Sequence, residues 1–275
     1  MFVWMLSACA GGDPLALAAK AKAAGFSWVA LKVQDGTNIY QPDLLAPAIS
    51  ALRAAGIAVW GWGYLYGATF LGASIAAREA AITIKCFEDY LIDGFLIDAE
   101  HQYKRTNART WAATYMAAVR AALPKVRLGL CSYRYPSLHP QLPWREFLAY
   151  CDFHAPQVYW ALAHNPGDQL RRSVRELTAL KALPVAPVGA AYKEHTWAGP
   201  TVAELNEFDN TAKALMLPGV SYWSWQHAEA NSMWWGAIAA HKWQPVPPAP
   251  PWGTPLTLEQ RVARLEKAAQ EHGWI

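Results

Sequence analysis

The stretch Asp93-Gly94-Phe95-Leu96-Ile97-Asp98-Ala99-Glu100-His101-Gln102-Tyr103 decides how this chain is read. Its apolar centre, Phe95 to Ile97, has the length and composition of a short buried strand, opened by the turn former Gly94 and closed by two carboxylates. Asp98 and Glu100 are two residues apart, so on a strand their side chains share a face, with Cα atoms roughly 6 to 7 Å apart. Two carboxylates that close raise each other's proton affinity, and one of them can stay protonated as a general acid. Helix capping and ion pairing are the structural alternatives for the same residues, because the segment after Glu100 is expected to turn helical.

Outward from this stretch, apolar strand-like runs alternate with amphipathic or Ala-rich helical ones. Strands are expected at 2–6, 28–34, 57–64, 94–98, 126–132, 154–160, 184–190 and 220–226. Helical stretches are expected at 13–24, 43–54, 72–91, 106–122, 167–180 and 201–215. Trp111, Tyr115, Ala118 and Ala122 keep the spacing of one buried helix face, as do Leu170, Val174 and Leu177. Strands that begin about 30 residues apart, each followed by a helix, predict an α/β fold, a single (β/α)8 TIM barrel over 1–243. An open doubly wound sheet is the alternative. The 275 residues suffice for one such barrel, and 53 % hydrophobic against 16 % charged residues argues for a large core and against disorder.

A barrel of this kind places its site at the C-terminal ends of the strands. Candidate ligand-binding residues there are Lys32, Gln34 and Asp35 on the second strand, Trp60, Trp62 and Tyr64 on the third, and Tyr133 on the fifth. Gln157, Tyr159 and Trp160 follow on the sixth, Glu194 on the seventh, and Trp223 and Trp225 on the eighth. The 15 tryptophans cluster at several of these positions, where flat amphipathic rings suit the apolar faces of sugars.

Asp93 to Glu100 resembles the fourth-strand signature Asp-Gly-x-Asp-x-Asp-x-Glu of family 18 glycoside hydrolases, the chitinases and endo-N-acetylglucosaminidases, with Leu96 in place of its first strand Asp. Gln157-Val158-Tyr159 is similar to that family's sixth-strand Met-x-Tyr. The segment Gly219 to Trp225 is similar to the eighth-strand segment whose Trp floors the sugar site. The chain also resembles family 25 lysozymes, frequent among phage endolysins, in an Asp-x-Glu ending the fourth strand and in Trp28 to Gly36. Met5-Leu6-Ser7-Ala8-Cys9 stands where that family has a first-strand Asp.

Both resemblances imply hydrolysis of an N-acetylated glycan without cofactor or metal; peptidoglycan is the expected substrate, with a chitin-like polymer as the alternative. Glu100 would protonate the glycosidic oxygen, Asp98 would orient the substrate's 2-acetamido group for attack, and Tyr159 would bond its carbonyl. A double displacement using Glu194 is an alternative. A metal-assisted hydrolase built on His101, His154, His195 and His227 lacks any metal-ligand spacing. A non-catalytic glycan-binding or structural barrel, such as a phage tail component, is the competing class.

The net charge of +3 does not call for nucleic acid, and no apolar run is long enough to span a membrane. The run before Cys9 is too short for a secretory leader. The chain is therefore expected to be cytoplasmic at synthesis, and then released to a cell wall or carried on a phage particle. After Trp243, a Pro-rich linker at 244–255 leads to an expected helix at 256–275. There Leu258, Val262, Leu265 and Ala269 repeat like a coiled-coil seam, so 256–272 is a candidate oligomer or assembly contact.

Overall fold

The computed structural model describes residues 1–69, 71–241 and 243. The expected linker at 244–255, the helix at 256–275 and the seam within it lie outside the described residues.

The chain runs β1 (Phe2–Val3), α1 (Pro14–Ala23), β2 (Trp28–Asp35), β3 (Asn38–Ile39), α2 (Pro42–Ala54), β4 (Ala58–Leu65), α3 (Ala76–Tyr90), β5 (Gly94–Ala99) and α4 (Ala108–Ala122). It continues through β6 (Arg127–Tyr133), α5 (Trp144–Leu148), β7 (Phe153–Val158), α6 (Pro166–Leu180), β8 (Val188–Ala190), α7 (Val202–Ala214), β9 (Ser221–Trp223), α8 (Trp225–Glu229) and α9 (Ser232–Ala240). Strands β1, β2 and β4 to β9 pair in parallel in that order, while β3 folds back antiparallel on β2. The Phe2 and Trp223 rings, 6.1 Å apart, bring the first and last strands together. This is a nearly closed (β/α)8 barrel, and β5 is its fourth barrel strand.

Local chemistry sets several of these boundaries. Asp13 accepts from the Leu15 amide ahead of Pro14, a side-chain cap that starts α1. Thr201 and Glu204 form a reciprocal capping box on α7. The first strand is shorter than expected: after Val3 the chain turns away, and Leu6–Ala8 is a 3-10 turn. The last strand stops at Trp223, because α8 begins two residues later. Proline limits the seventh barrel strand to Val188–Ala190, since Pro184 and Pro187 have no amide hydrogen for the ladder.

Two apolar regions result. One lies between the barrel and its helices, where Trp111 and Tyr115 of α4 and Leu170 and Leu177 of α6 are buried on the expected faces. The other fills the barrel itself, with Phe2, Ala30, Trp62, Leu96, Cys131, Ala155 and Val188 at its centre. At the N-terminal end, Trp60 packs edge-on to Phe153 (5.5 Å) and against Trp28 (6.0 Å). Gly94 faces this floor. A Cβ there would come within 2.4 Å of the Trp60 ring, so this glycine makes room for an indole. Gly129 does the same for Phe153, at 2.3 Å. Asp93 anchors the same end: it accepts from the Val59 amide at 2.7 Å and pairs with Arg53 at 3.2 Å. Asp152 repeats the device with the Leu128 amide (2.8 Å) and Arg120 (3.1 Å). All four cysteines are free and buried.

Candidate active site

Alternation along β5 points Leu96 and Asp98 into the barrel, and Glu100 follows at its C-terminal rim. Asp98 pairs in register with Tyr64 of β4 and Cys131 of β6. Gln157, on β7, donates from one amide nitrogen to both carboxylates, 3.0 Å to Asp98 Oδ1 and 2.9 Å to Glu100 Oε1. Two acids and a bridging amide, from strands that are not neighbours, thus meet at the barrel mouth.

Asp98 is 6 % exposed. Burial pushes its proton affinity well above the usual carboxylate range, and the charge and hydrogen bond of Glu100 push it further. Lys32 and the Gln157 amide act in the opposite sense. Asp98 therefore keeps its proton to higher pH than an ordinary aspartate. Glu100, only half-buried, presents the pair to solvent.

Tyrosines surround the pair. Burial, then the charges of Glu100 and Asp98, push the Tyr133 hydroxyl up to about 12. Tyr64 is raised by burial and Glu100, and it donates to Gln102 Oε1 at 2.6 Å. Tyr159 is raised by burial and by its neighbours Cys131 and Asp98, and its ring stands edge-on to Tyr192 at 5.3 Å. All three hydroxyls stay protonated near neutral pH. Lys32 lies at one side of the mouth, 2.9 Å from Asp35 and over the rings of Tyr40 (4.5 Å) and Trp62 (5.3 Å). Trp223 meets Trp62 edge-on at 5.2 Å and stacks on Trp4, which is 37 % exposed.

Several expected ligand-binding residues lie elsewhere. A β-bulge between Lys32 and Gln34 breaks the period-two phase. Gln34 is fully buried, away from the mouth. Its amide donates to the Gly36 and Glu79 carbonyls (2.8 Å each) and accepts from Thr83 at 2.6 Å. Trp60 belongs to the floor. Trp62 is inside the barrel but 2 % exposed, with its indole nitrogen donating to the Val3 carbonyl at 3.0 Å, so it supports the mouth from beneath. Trp160 follows the end of β7 and is buried against Phe208 of α7. Trp225 begins α8 and is buried against Phe26 and Trp235, donating to Glu229 at 2.9 Å. Glu194 stands exposed in a turn closed by its own reciprocal backbone bonds with Trp197, and it forms no contact with Asp98 or Glu100.

Other mouth residues carry a weaker signal in the sequence. Trp4 lies just past a strand shorter than its apolar run implies. Tyr66 continues the alternation of Tyr64 and touches it edge-on at 5.3 Å. Lys104 and His139 come from connecting segments with no periodicity to mark them. A surface depression of about 560 Å³ lies between α6 and α7, lined by Arg171, Asn206 and Asn210 among others, and includes none of the mouth residues.

No family model and no curated protein sequence matches the chain. Solved structures do. A chitinase from Chromobacterium violaceum superposes with TM-score 0.59 at 14 % identity, over 86 % of this chain and 96 % of that one. A family 18 chitinase from the chitin utilization locus of Flavobacterium johnsoniae gives 0.60 at 9 %, over 86 % and 91 %. A class V chitinase from Pseudomonas fluorescens gives 0.60 at 12 %, over 86 % and 97 %. Identities this low establish likeness of fold, and the chain shares the (β/α)8 barrel seen in family 18 chitinases and other glycoside hydrolases.

Proposed function

We propose that this barrel hydrolyses an N-acetylated glycan, most readily peptidoglycan, with Glu100 as the general acid. The observation that carries the reading is the Asp98 and Glu100 pair held by Gln157 at the C-terminal mouth.

In this reading the chemistry uses one proton passed between the two acids. Glu100 donates it to the glycosidic oxygen, and the aglycone leaves as an alcohol. The carbonyl oxygen of the substrate's 2-acetamido group closes on the anomeric carbon, and water then opens that ring with Glu100 taking the proton back. Asp98, ionised at that stage, accepts from the acetamide N–H, and Tyr159 donates to its carbonyl. The contact between Asp98 and Glu100 is the path by which the proton reaches the outer carboxyl. Leu96, fully buried inside the barrel, supplies no acid beneath Asp98, so Gln157 is its polar support from across the barrel. Trp223, with Trp4 stacked on it, offers a sugar platform.

The buried Leu96 also favours a second reading, a glycan-binding barrel without turnover. Reducing-end release from purified peptidoglycan and from chitin oligomers, each compared with its de-N-acetylated form, tests the proposal. Release that depends on the acetyl group is expected. Equal rates with and without acetyl groups would remove the acetamide's role. Binding without release from any polymer would leave the glycan-binding module.

A further inference from the structure

We infer that the side of the mouth formed by the segments after β5 and β6 recognises a carboxylate on the glycan, so that the preferred substrate is an acidic glycan and not a neutral one. The inference rests on the glycan-cleaving reading above and adds the charge class of the substrate.

Two cations on the segments after β5 and β6 have no carboxylate of their own. Lys104 ends the 3-10 turn that begins directly after Glu100, and Arg134 directly follows β6. Both are half-buried, and neither forms an ion pair among the described residues. Elsewhere in the barrel Lys20, Lys32, Arg53, Arg120 and Arg172 each have a carboxylate partner within 3.2 Å.

Neutral groups hold the two cations. Lys104 Nζ donates to His139 Nδ1 at 2.8 Å and lies 4.1 Å from the centre of the Tyr133 ring. His139 stacks on Tyr133, with ring centres 3.7 Å apart. Burial and the charges of Lys104 and Arg134 lower the proton affinity of His139, which keeps it a neutral acceptor. Arg134 donates to the Tyr159 carbonyl, and its Nε is buried with no partner. Tyr133 pairs in register with Gln157, which bridges Glu100 and Asp98, so this platform adjoins the acid pair.

A half-buried, uncompensated cation costs free energy unless an anion completes it, and a stacked aromatic face next to it fits a sugar ring that carries that anion. In an N-acetylated glycan the carboxylate is either on the sugar, as a lactyl ether, or on an attached peptide.

Equilibrium binding by the Glu100→Gln chain, read from tryptophan fluorescence, separates this inference from turnover. The probes are a peptide-free peptidoglycan tetrasaccharide, its methyl ester, a peptide-bearing tetrasaccharide and chitotetraose. The free acid or the peptide-bearing glycan is expected to bind about tenfold tighter than the ester and chitotetraose, as one charge-assisted hydrogen bond implies. Which of the two binds tighter identifies the source of the carboxylate. Lys104→Met should erase the advantage and Lys104→Arg restore it, and added salt should shrink it. Equal Kd values for all four probes, or a preference for acid that survives Lys104→Met, would overturn the inference. Failure of the native chain to hydrolyse any glycan would count against the proposed function and leave this binding result standing.

Discussion

The two ends of this barrel are built from the same kinds of residue to different ends. At the floor, Trp28, Trp60 and Phe153 pack against one another, and Gly94 and Gly129 give up their side chains to seat them. At the mouth, Trp4, Trp223, Tyr64, Tyr133 and Tyr159 surround two carboxylates, a bridging amide and two unpaired cations. Aromatic richness alone therefore says nothing about sugar binding. What separates the ends is the company of the rings: glycine below, titratable groups above.

That contrast is open to attack at both ends. Replacing Trp60 with Ala should lower the unfolding free energy by about 3 kcal/mol, the cost of emptying a packed aromatic site, and leave glycan affinity per folded molecule unchanged. Trp4→Ala should behave in the opposite way, with a small stability change and weakened glycan binding. Denaturant unfolding and fluorescence titration read both variants, and a Trp60 variant that loses glycan affinity would erase the distinction.

A methyl group at the floor comes next in size. Gly94→Ala should cost about 1 to 3 kcal/mol by overpacking against Trp60, and most of that cost should vanish in the Trp60→Ala background. An additive double variant would show that the glycine serves some other purpose.

At the mouth, Gln157→Leu removes a donor that favours the ionised form of Asp98. Proton affinity at Asp98 should rise further. We expect the limb of the pH–rate profile that needs this carboxylate ionised to move to higher pH, with a rate loss of about tenfold at neutral pH. An unchanged profile would mean that Gln157 does not set the pair's proton. The same shift bears on stability. Because Asp98 binds its proton more tightly folded than unfolded, its contribution to stability is complete below the usual carboxylate range. It is lost as pH rises through the folded value. Asp98→Asn should flatten this fall by at most about 1.4 kcal/mol per pH unit. Glu79 and Asp209, raised in the same direction by burial, retain theirs.

Much of this architecture is legible in the chain because alternation and amphipathy are local properties. The strand ending in Asp98 and Glu100, the inward face of Trp60, Trp62 and Tyr64, and the helical face of α6 follow from spacing alone, whereas on α4 Trp111 and Tyr115 are buried but Ala122 is exposed. Three misplaced residues, Gln34, Trp160 and Trp225, share one cause: the period does not continue across a point where the backbone changes it. The bulge before Gln34 turns that residue out of phase. Trp160 lies beyond the end of β7, and Trp225 already belongs to a helix. Which end of a strand an aromatic occupies depends on register against its neighbours, and that separates Trp60 from Tyr64. The Lys104, His139 and Tyr133 cluster brings together two connecting segments and a strand end, so no spacing rule could have announced it.

Reducing-end release from purified peptidoglycan by the native chain and by Glu100→Gln, at matched folded fractions, tests Glu100 as the acid. A loss of about a hundredfold or more is expected in the variant, with glycan affinity retained. Equal release by the two chains would contradict it.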